Sequence, residues 1–201
     1  NFNKMEIRTN KKFKNFDLNG KTALITGAAG LLGVEHAIAL LESGATVVLT
    51  DISKNILISV EKKLSEKVNK NRIILYKMDV TNLEEITHVY KDLTSNGVYV
   101  DILINNAAID PKVKDGDKLL ESSRLENFSM NQWDLEVSVG LKGAFLCSQV
   151  FGSKMASDKK GGVILNIASD LSIFSPDQRL YRKEGILENL QPVKPITYSV
   201  I

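Results

Sequence analysis

Cysteine and histidine are scarce in this sequence, and their scarcity excludes several kinds of chemistry. The 201 residues contain one cysteine, Cys147, and two histidines, His36 and His88. A single cysteine cannot close an internal disulfide, and no cluster of Cys and His has the spacing of metal ligands. The composition therefore predicts a protein of the reducing cytoplasm with no metal site, and it gives little support to a mechanism centred on histidine.

Long apolar runs and a strong charge imbalance are also lacking. No apolar run reaches about 18 residues, so no segment is predicted to span a membrane. Lys and Arg number 26 and Asp and Glu 24, and a net charge of +2 is too small to imply nucleic acid or an anionic membrane as a partner. The excess lies near the start of the chain. Residues 1–17 are therefore predicted to form a flexible basic lead-in, and residues 18–201 a single domain.

Short apolar runs that alternate with helical patterns are the main feature that is present. The runs are nearly continuous, which is typical of strands buried on both faces of a parallel sheet. They cover residues 21–26, 46–51, 72–77, 101–105 and 162–169, and apolar residues at helical spacing occupy 31–43, 54–68, 83–94 and 131–155. Ser53 and Thr81 are the expected helix N-caps. The order predicts a Rossmann-like α/β fold: a doubly wound parallel sheet in three α/β/α layers.

The first strand leads into TGAAGLLG, residues 26–33. Gly27, Gly30 and Gly33 remove side chains where the chain turns sharply, approaches a pyrophosphate and packs a helix against the strand. The amides that open this helix can then bind the anion. Leu31 and Leu32, between the glycines, complete the predicted loop contacts with a dinucleotide.

Asp51 ends the second predicted strand, 24 residues after Gly27. A carboxylate at this place can accept hydrogen bonds from the adenosine ribose and repels a 2′-phosphate, so NAD is favoured over NADP. Its neighbour Ile52 is included in the predicted cofactor site.

Taken together, these motifs resemble the short-chain dehydrogenase/reductase family over residues 18–201. DLNGKTALITGAAGLLG resembles the opening strand and loop of that family, MDVT at 78–81 the segment after its third strand, and NNAA at 105–108 its NNAG motif. The resemblance implies that Asp79 bonds the adenine amino group and that Val80 covers the ring. It also implies that Asn106, Ala107 and Ala108 lie beneath the cofactor, while Asn105 helps to hold the sheet.

The resemblance implies two catalytic residues. NIASDLS at 166–172 is similar to the segment that carries the family's catalytic serine, which places that residue at Ser169. Tyr198 matches the tyrosine of the family's Tyr-x-x-x-Lys pair, whose lysine would fall one position beyond Ile201. A cation four residues away on a helix favours the phenolate form that accepts a proton. The expectation is therefore that the C-terminal part of the fold is missing and that the fragment alone is inactive.

Three features depart from the usual family pattern. The glycines are spaced TGxxGxxG, as in extended members that act on nucleotide sugars, and Gly140 stands where an asparagine of a water relay is usual. Residues 175–195 lengthen the separation of Ser169 and Tyr198. This insertion carries Arg179, Arg182 and Lys183, and it is either a lid over the active site or a solvated surface loop.

The sequence therefore predicts an NAD-dependent oxidoreductase that moves hydride between nicotinamide and a hydroxyl or carbonyl carbon. The substrate is expected to be a small alcohol or ketone, and the glycine spacing keeps a carbohydrate in view. A nucleotide-sugar epimerase or dehydratase that recycles NAD remains an alternative, as does a silent dinucleotide-binding regulatory protein. The resemblance also implies a homodimer or homotetramer for the full-length protein.

Overall fold

A parallel sheet of five strands, in the order β3-β2-β1-β4-β5, forms the framework of the protein. The structure is a computed structural model that describes residues 16–109, 123–158 and 161–201, so nearly all of the predicted basic lead-in lies outside the described residues. The strands and the helices between them are β1 (Thr22–Thr26), α1 (Leu31–Glu42), β2 (Thr46–Asp51), α2 (Lys54–Ser65), β3 (Ile73–Lys77), α3 (Leu83–Ser95), β4 (Ile102–Asn105) and β5 (Val163–Asn166).

The helical pattern predicted over residues 131–155 is confirmed, with two changes of winding. It is divided into α4 (Met130–Val137), a π segment (Ser138–Lys142), α5 (Gly143–Cys147), a second π segment (Ser148–Gly152) and α6 (Ser153–Ser157). π turns are rare and are often found at functional sites. Each of the two π segments contains a glycine, Gly140 in the first and Gly152 in the second.

Buried apolar residues explain why the sheet and its flanking helices form. The central residues of β1 and β2 are fully buried, as the continuous apolar runs predict. The three helices α1, α2 and α3 each turn three residues at helical spacing into the core: Gly33, Ala37 and Leu41; Leu57, Val60 and Leu64; Ile86, Val89 and Leu93. With right-handed crossovers, the strand order places α1 and α2 on one face and α3 on the other. The predicted doubly wound α/β fold is therefore confirmed.

Two details of the sequence prediction are wrong. β5 is exposed along its length, because it pairs only with β4 and the described residues leave its side chains uncovered: Val163 is 60% exposed, Ile164 40% and Leu165 47%. Asn82, and not Thr81, caps α3, since the Asn82 side chain accepts hydrogen bonds from the amides of Glu84 and Glu85. Thr81 instead bonds the Asp79 carboxylate.

The chain forms two compact units. The first, the sheet unit, ends at Ala107 and resumes over Gly143–Asn166, while the second unit comprises Ala108–Lys142 and Ile167–Ile201. The expectation of one domain over residues 18–201 stays a prediction. Among the described residues, no helix is both long and apolar enough to cross a bilayer.

Candidate active site

The carboxyl ends of β1 to β4 lie along one edge of the sheet, because the strands are parallel. β1 lies between β2 and β4, and the chain order reverses there. Open α/β sheets bind their ligands beside such a reversal. The residues predicted to contact a dinucleotide within the sheet unit all lie at these strand ends or after them: Gly27, Gly30, Leu31, Leu32, Gly33, Asp51, Ile52, Asp79, Val80, Asn106 and Ala107.

The glycine loop is built so closely that side chains would not fit at two of its positions. A Cβ atom on Gly33 would lie 2.4 Å from the Gly27 carbonyl oxygen, and one on Gly27, where φ is +61°, would lie 2.8 Å from the Ala107 Cα. Gly30 caps α1 without a side-chain hydrogen bond. The first amides of this twelve-residue helix therefore have no side-chain acceptor, as an anion-binding helix start requires.

Thr26 fastens the glycine loop to the end of β4, a role that the sequence analysis missed. Its hydroxyl oxygen accepts hydrogen bonds from the amides of Asn106 and Ala107, each at 3.0 Å. The Asn106 side chain returns the contact, since its Nδ2 donates to the carbonyl oxygens of Thr26 at 3.0 Å and of Gly27 at 3.1 Å. A threonine that ends a buried strand beside a glycine loop is the signal that could have been used.

Asp51 closes the other side of the loop. Its Oδ2 accepts a hydrogen bond from the Ala29 amide at 3.1 Å, and its Oδ1 accepts one from the Ser53 amide at 3.0 Å. Each carboxylate oxygen has a second lone pair, so the group can still accept from hydroxyls of a ribose. The glycine loop and the predicted ribose acceptor are therefore in direct contact.

Exposed apolar side chains border this edge of the sheet. Leu31 and Leu32 at the start of α1 and Ile52 after β2 are all exposed. Large apolar side chains gathered at the rim of a polar cradle are typical of a surface that a ligand covers. The glycine loop, the uncapped amides and this rim together fit an adenine dinucleotide. Ala108, the remaining residue predicted for the cofactor site, is exposed and belongs to the second unit.

Asp79 and Val80 follow β3 and differ in accessibility. The half-buried Asp79 carboxylate accepts from the Thr81 amide and hydroxyl through Oδ1, both at 2.8 Å, and its Oδ2 makes no hydrogen bond among the described residues. Val80 is buried, and a Cβ on Gly143 would lie 2.7 Å from its Cγ2. Asp79 Oδ2 can therefore accept the predicted hydrogen bond from the adenine amino group. Little of the Val80 side chain is exposed, so it can cover only a small part of the adenine ring.

Asn105 joins β4 to β5 and to the second π segment. Its Nδ2 donates to Asn166 Oδ1 at 2.8 Å and to Ser148 Oγ at 3.0 Å. The sequence analysis expects Asn105 to help hold the sheet, and these hydrogen bonds support that role. Cys147, one residue before Ser148, is fully buried, and burial raises the pKa of its thiol to about 12, so it is not a candidate nucleophile.

The predicted catalytic serine lies in the second unit. Ser169 caps a 3₁₀ turn at Asp170–Ser172, where its hydroxyl oxygen accepts from the Leu171 amide at 3.2 Å and donates to Asp170 Oδ1 at 3.1 Å. The side chain is half-buried. A hydroxyl has one proton, so in the predicted catalytic role the Ser169 O–H would turn from Asp170 and donate to the substrate oxygen.

Tyr198 lies in a second 3₁₀ turn, Ile196–Ser199, which contacts the turn that Ser169 caps. The two residues predicted to be catalytic are therefore carried by neighbouring turns, although 28 residues lie between them in the sequence. The Lys194 ammonium lies 3.7 Å from the centroid of the Tyr198 ring. A cation over an aromatic face is attracted by the negative face of the ring.

Gly140, which replaces the family's usual asparagine, lies in the first π segment. A Cβ atom there would be 2.8 Å from the Cβ of Ile201, so the Ile201 side chain occupies the space beside the glycine. The interpretation that Gly140 permits a change in helix winding is consistent with its position in a π segment. A side chain at this position would have to displace Ile201.

The two arginines of the insertion are paired locally. Arg179 forms a two-pronged ion pair with Asp177 and lowers the pKa of that carboxyl to about 2. Arg182 pairs with Glu188 at 2.5 Å. Gln191, which is buried, fixes the base of the loop through bonds to the Lys183 backbone and to the Ile186 carbonyl. Because both arginines are already paired with carboxylates, fewer of their N–H groups can bind a phosphate. A lid function for the insertion stays a prediction.

Comparisons with known proteins agree with this architecture. The profile of the short chain dehydrogenase family matches residues 21–180. An NAD-dependent glycerol dehydrogenase of Listeria innocua is 32% identical over 83% of this chain and 59% of its own length. A 3-oxoacyl-[acyl-carrier-protein] reductase of Thermotoga maritima is 32% identical over 85% of this chain and 65% of its own length. The chain thus spans about three fifths of the relatives it matches.

A solved structure shows the same fold. The crystal structure of a 3-oxoacyl-[acyl-carrier protein] reductase with bound NAD from Brucella melitensis superposes with a TM-score of 0.72 at 22% identity, over 92% of this chain and 61% of that one. The fold and the glycine-loop site define a dinucleotide-binding α/β protein. The profile match makes the assignment narrower: the chain belongs to the short chain dehydrogenase family, whose members bind NAD or NADP.

Proposed function

We propose that this chain carries the cofactor site and the Ser-Tyr pair of an NAD-dependent oxidoreductase that acts on a hydroxyl or carbonyl carbon. The observation that carries the proposal is the contact between Asp51 and the Ala29 amide of the close-packed glycine loop at the end of β1. A carboxylate at this place accepts from ribose hydroxyls and repels a 2′-phosphate, which favours NAD over NADP. The name of the Listeria relative, a glycerol dehydrogenase, supports a polyol or sugar-derived substrate.

In the oxidative direction, each residue of the proposed site has a distinct role. Bound NAD supplies the hydride acceptor. Tyr198, as phenolate, takes the hydroxyl proton, and Ser169 donates a hydrogen bond to the same substrate oxygen while charge develops on it. The uncapped amides at the start of α1 hold the pyrophosphate, and Asp51 holds the adenosine ribose. The protein is proposed to act in the cytoplasm as a homodimer or homotetramer.

Binding and turnover test the proposal separately. Calorimetry on the full-length protein should give a dissociation constant for NAD at least about 10-fold below that for NADP, because like charges brought together at a binding site cost more than about 1.4 kcal/mol. NADH formation is then measured with glycerol, xylitol and gluconate. Tyr198→Phe should abolish turnover and leave NAD binding unchanged. Absence of heat on adding NAD would remove the basis of the proposal.

A silent dinucleotide-binding protein is the second candidate. Ile201 fills the space beside Gly140, where the family usually has an asparagine. This candidate predicts tight NAD binding with no NADH formed from any alcohol in the panel. An epimerase that recycles NAD predicts instead that a nucleotide sugar is converted while the amount of NADH stays constant.

A further inference from the structure

Glu136 is a buried acidic residue to which neither the proposed mechanism nor the sequence analysis gives a role. It lies on α4, and its side chain is 0% exposed. Carboxylates are rarely buried in proteins unless hydrogen bonds compensate for the water that they lose. A buried glutamate therefore needs partners, and its partners indicate what it does.

Both carboxylate oxygens of Glu136 accept hydrogen bonds. Oε1 accepts from Gln132 Nε2 at 2.5 Å, one helical turn earlier on α4. Oε2 accepts from the hydroxyl of Thr197, which is also 0% exposed. The contact between α4 and Thr197 is thus a buried hydrogen bond between two side chains.

Thr197 is the residue immediately before Tyr198, and these two are the central residues of the turn. The Thr197 carbonyl accepts from the amides of Val200 at 2.9 Å and of Ile201 at 3.1 Å. A 3₁₀ turn of four residues has little stability of its own, because few hydrogen bonds offset the ordering of its backbone. Among the described residues, no other hydrogen bond joins the Ile196–Ser199 turn to a helix.

A second contact holds the same segment one helical turn further along. Gly140 lies four residues after Glu136, and the Ile201 side chain packs beside it. The chain is therefore held at Thr197 and at Ile201, on either side of Tyr198. Two such attachments fix the direction in which the tyrosine side chain leaves the backbone.

We propose that Glu136 is a positioning residue for Tyr198 and that it acts through the hydroxyl of Thr197. The inference rests on the proposed function, because it assigns Glu136 to the tyrosine of that site. Misplacement of a reacting group by about 1 Å can lower a rate about 100-fold. Loss of the Thr197 hydroxyl should therefore lower kcat about 10-fold to 100-fold, without changing the affinity for NAD.

Substitutions at Thr197 in the full-length protein test this directly. Thr197→Val keeps the shape of the side chain and removes the hydroxyl, whereas Thr197→Ser keeps the hydroxyl. We expect Thr197→Val to lower kcat with KM and the NAD dissociation constant unchanged within about twofold, and Thr197→Ser to restore kcat. Thr94→Val, which removes a hydroxyl bonded only within α3, is the matched control.

Substitutions at Glu136 test whether the effect passes through that residue. Glu136→Gln keeps an oxygen that can accept from Thr197 and should retain most of kcat. Glu136→Leu should lower kcat as Thr197→Val does, and the double variant should be no worse than either single variant, because both remove one interaction. If Glu136→Leu fails to fold, the Thr197 pair and Glu136→Gln still decide the question. Additive losses in the double variant would contradict coupling.

A spectroscopic measurement decides the question without substrate. In protein labelled with ¹³Cζ-tyrosine, the resonance that Tyr198→Phe removes belongs to Tyr198. Thr197→Val should shift or broaden this resonance and leave the other tyrosines unchanged, and Thr197→Ser should leave all of them in place. An unchanged Tyr198 resonance and kcat in Thr197→Val would overturn the inference alone. Full turnover in Tyr198→Phe would instead overturn the proposed function.

Discussion

Asp51 is the residue on which cofactor choice should depend. Its carboxylate accepts hydrogen bonds from the amides of Ala29 and Ser53. The same side chain therefore holds the loop in place and supplies the negative charge. Asp51→Asn keeps an oxygen acceptor and removes the charge. We expect the ratio of the NADP to the NAD dissociation constant to fall about 10-fold, as calorimetry can measure. Asp158→Asn, at the exposed residue that follows α6, should leave that ratio unchanged. An unchanged ratio in Asp51→Asn would exclude the proposed role of the charge.

Tyr76 should make stability depend on pH at the alkaline end of the range. Burial, together with its hydrogen bond to Asp92, raises the pKa of Tyr76 to about 12, from an ordinary value of 10.0. Because the pKa is raised on folding, the contribution is fully present below about pH 10 and is lost as pH rises toward about 12.

Replacement of Tyr76 by phenylalanine isolates this effect. Tyr76→Phe should lower the free energy of unfolding by about 1 kcal/mol near neutral pH, as expected for one hydrogen bond. Urea unfolding of both proteins should show the difference shrinking above about pH 10. A difference that stays constant to pH 12 would contradict the assignment.

The residues that sequence reasoning missed are those whose partners lie far away in the chain. The glycines and Asp51 could be predicted because their spacing follows from the strand-turn-helix that holds them. Thr26 and Glu136 could not, since their partners at Asn106 and Thr197 are about 80 and about 60 residues away and become neighbours only in the folded chain. A lone threonine or glutamate carries no local signal of such a contact.

The glycine loop, residues 26–33, should tolerate a methyl group at one glycine and not at another. A Cβ on Gly33 would lie 2.4 Å from the Gly27 oxygen and 2.7 Å from the Ala28 Cα, which are backbone atoms that cannot move aside cheaply. Gly30 has one neighbour at 3.3 Å and a negative φ. Gly33→Ala should therefore cost about 1–3 kcal/mol of stability, and Gly30→Ala clearly less. Thermal unfolding of the two variants provides the comparison, and equal losses would contradict it.

The first π segment should not accept the family's asparagine without loss. Gly140→Asn would push its Cβ into Ile201, which lies 2.8 Å from that position and adjoins the turn of Tyr198. We therefore expect Gly140→Asn to lower kcat of the full-length protein, although it restores a residue usual in the family. Gly140→Ala should show a similar loss. A gain in kcat with asparagine alone would instead support a restored water relay.

The elements themselves could be predicted well, and the failures have physical causes. The apolar runs for β1 and β2 and the helical spacing of α1 to α3 match the structure because these residues are buried in one core. The cap at Asn82 was missed because Thr81 and Asn82 are both good capping residues and only tertiary contacts choose between them. The π segments have no sequence signature beyond their glycines.

At the scale of the whole molecule, the exposed strand β5 should promote association of the 201-residue chain. An apolar strand at a sheet edge offers both unpaired backbone groups and apolar surface to another chain. Val163→Lys places a charge on its most exposed apolar residue, at 60%. We expect this variant to sediment at a lower mass than the unchanged chain, whereas Ile56→Lys on the exposed face of α2 should have no such effect. A monomeric unchanged chain would refute the expectation.

The position of β1 in the middle of the sheet also bears on how the chain assembles during synthesis. β1 pairs with β2 within about 25 residues, but its other neighbour, β4, emerges from the ribosome only about 80 residues after it. Contacts between distant residues form slowly, because a long loop must close first. We therefore expect β1, β2 and β3 to pair first on the nascent chain and to protect their amides from hydrogen exchange. The edge of β1 that pairs with β4 should remain unprotected until β4 has been synthesised.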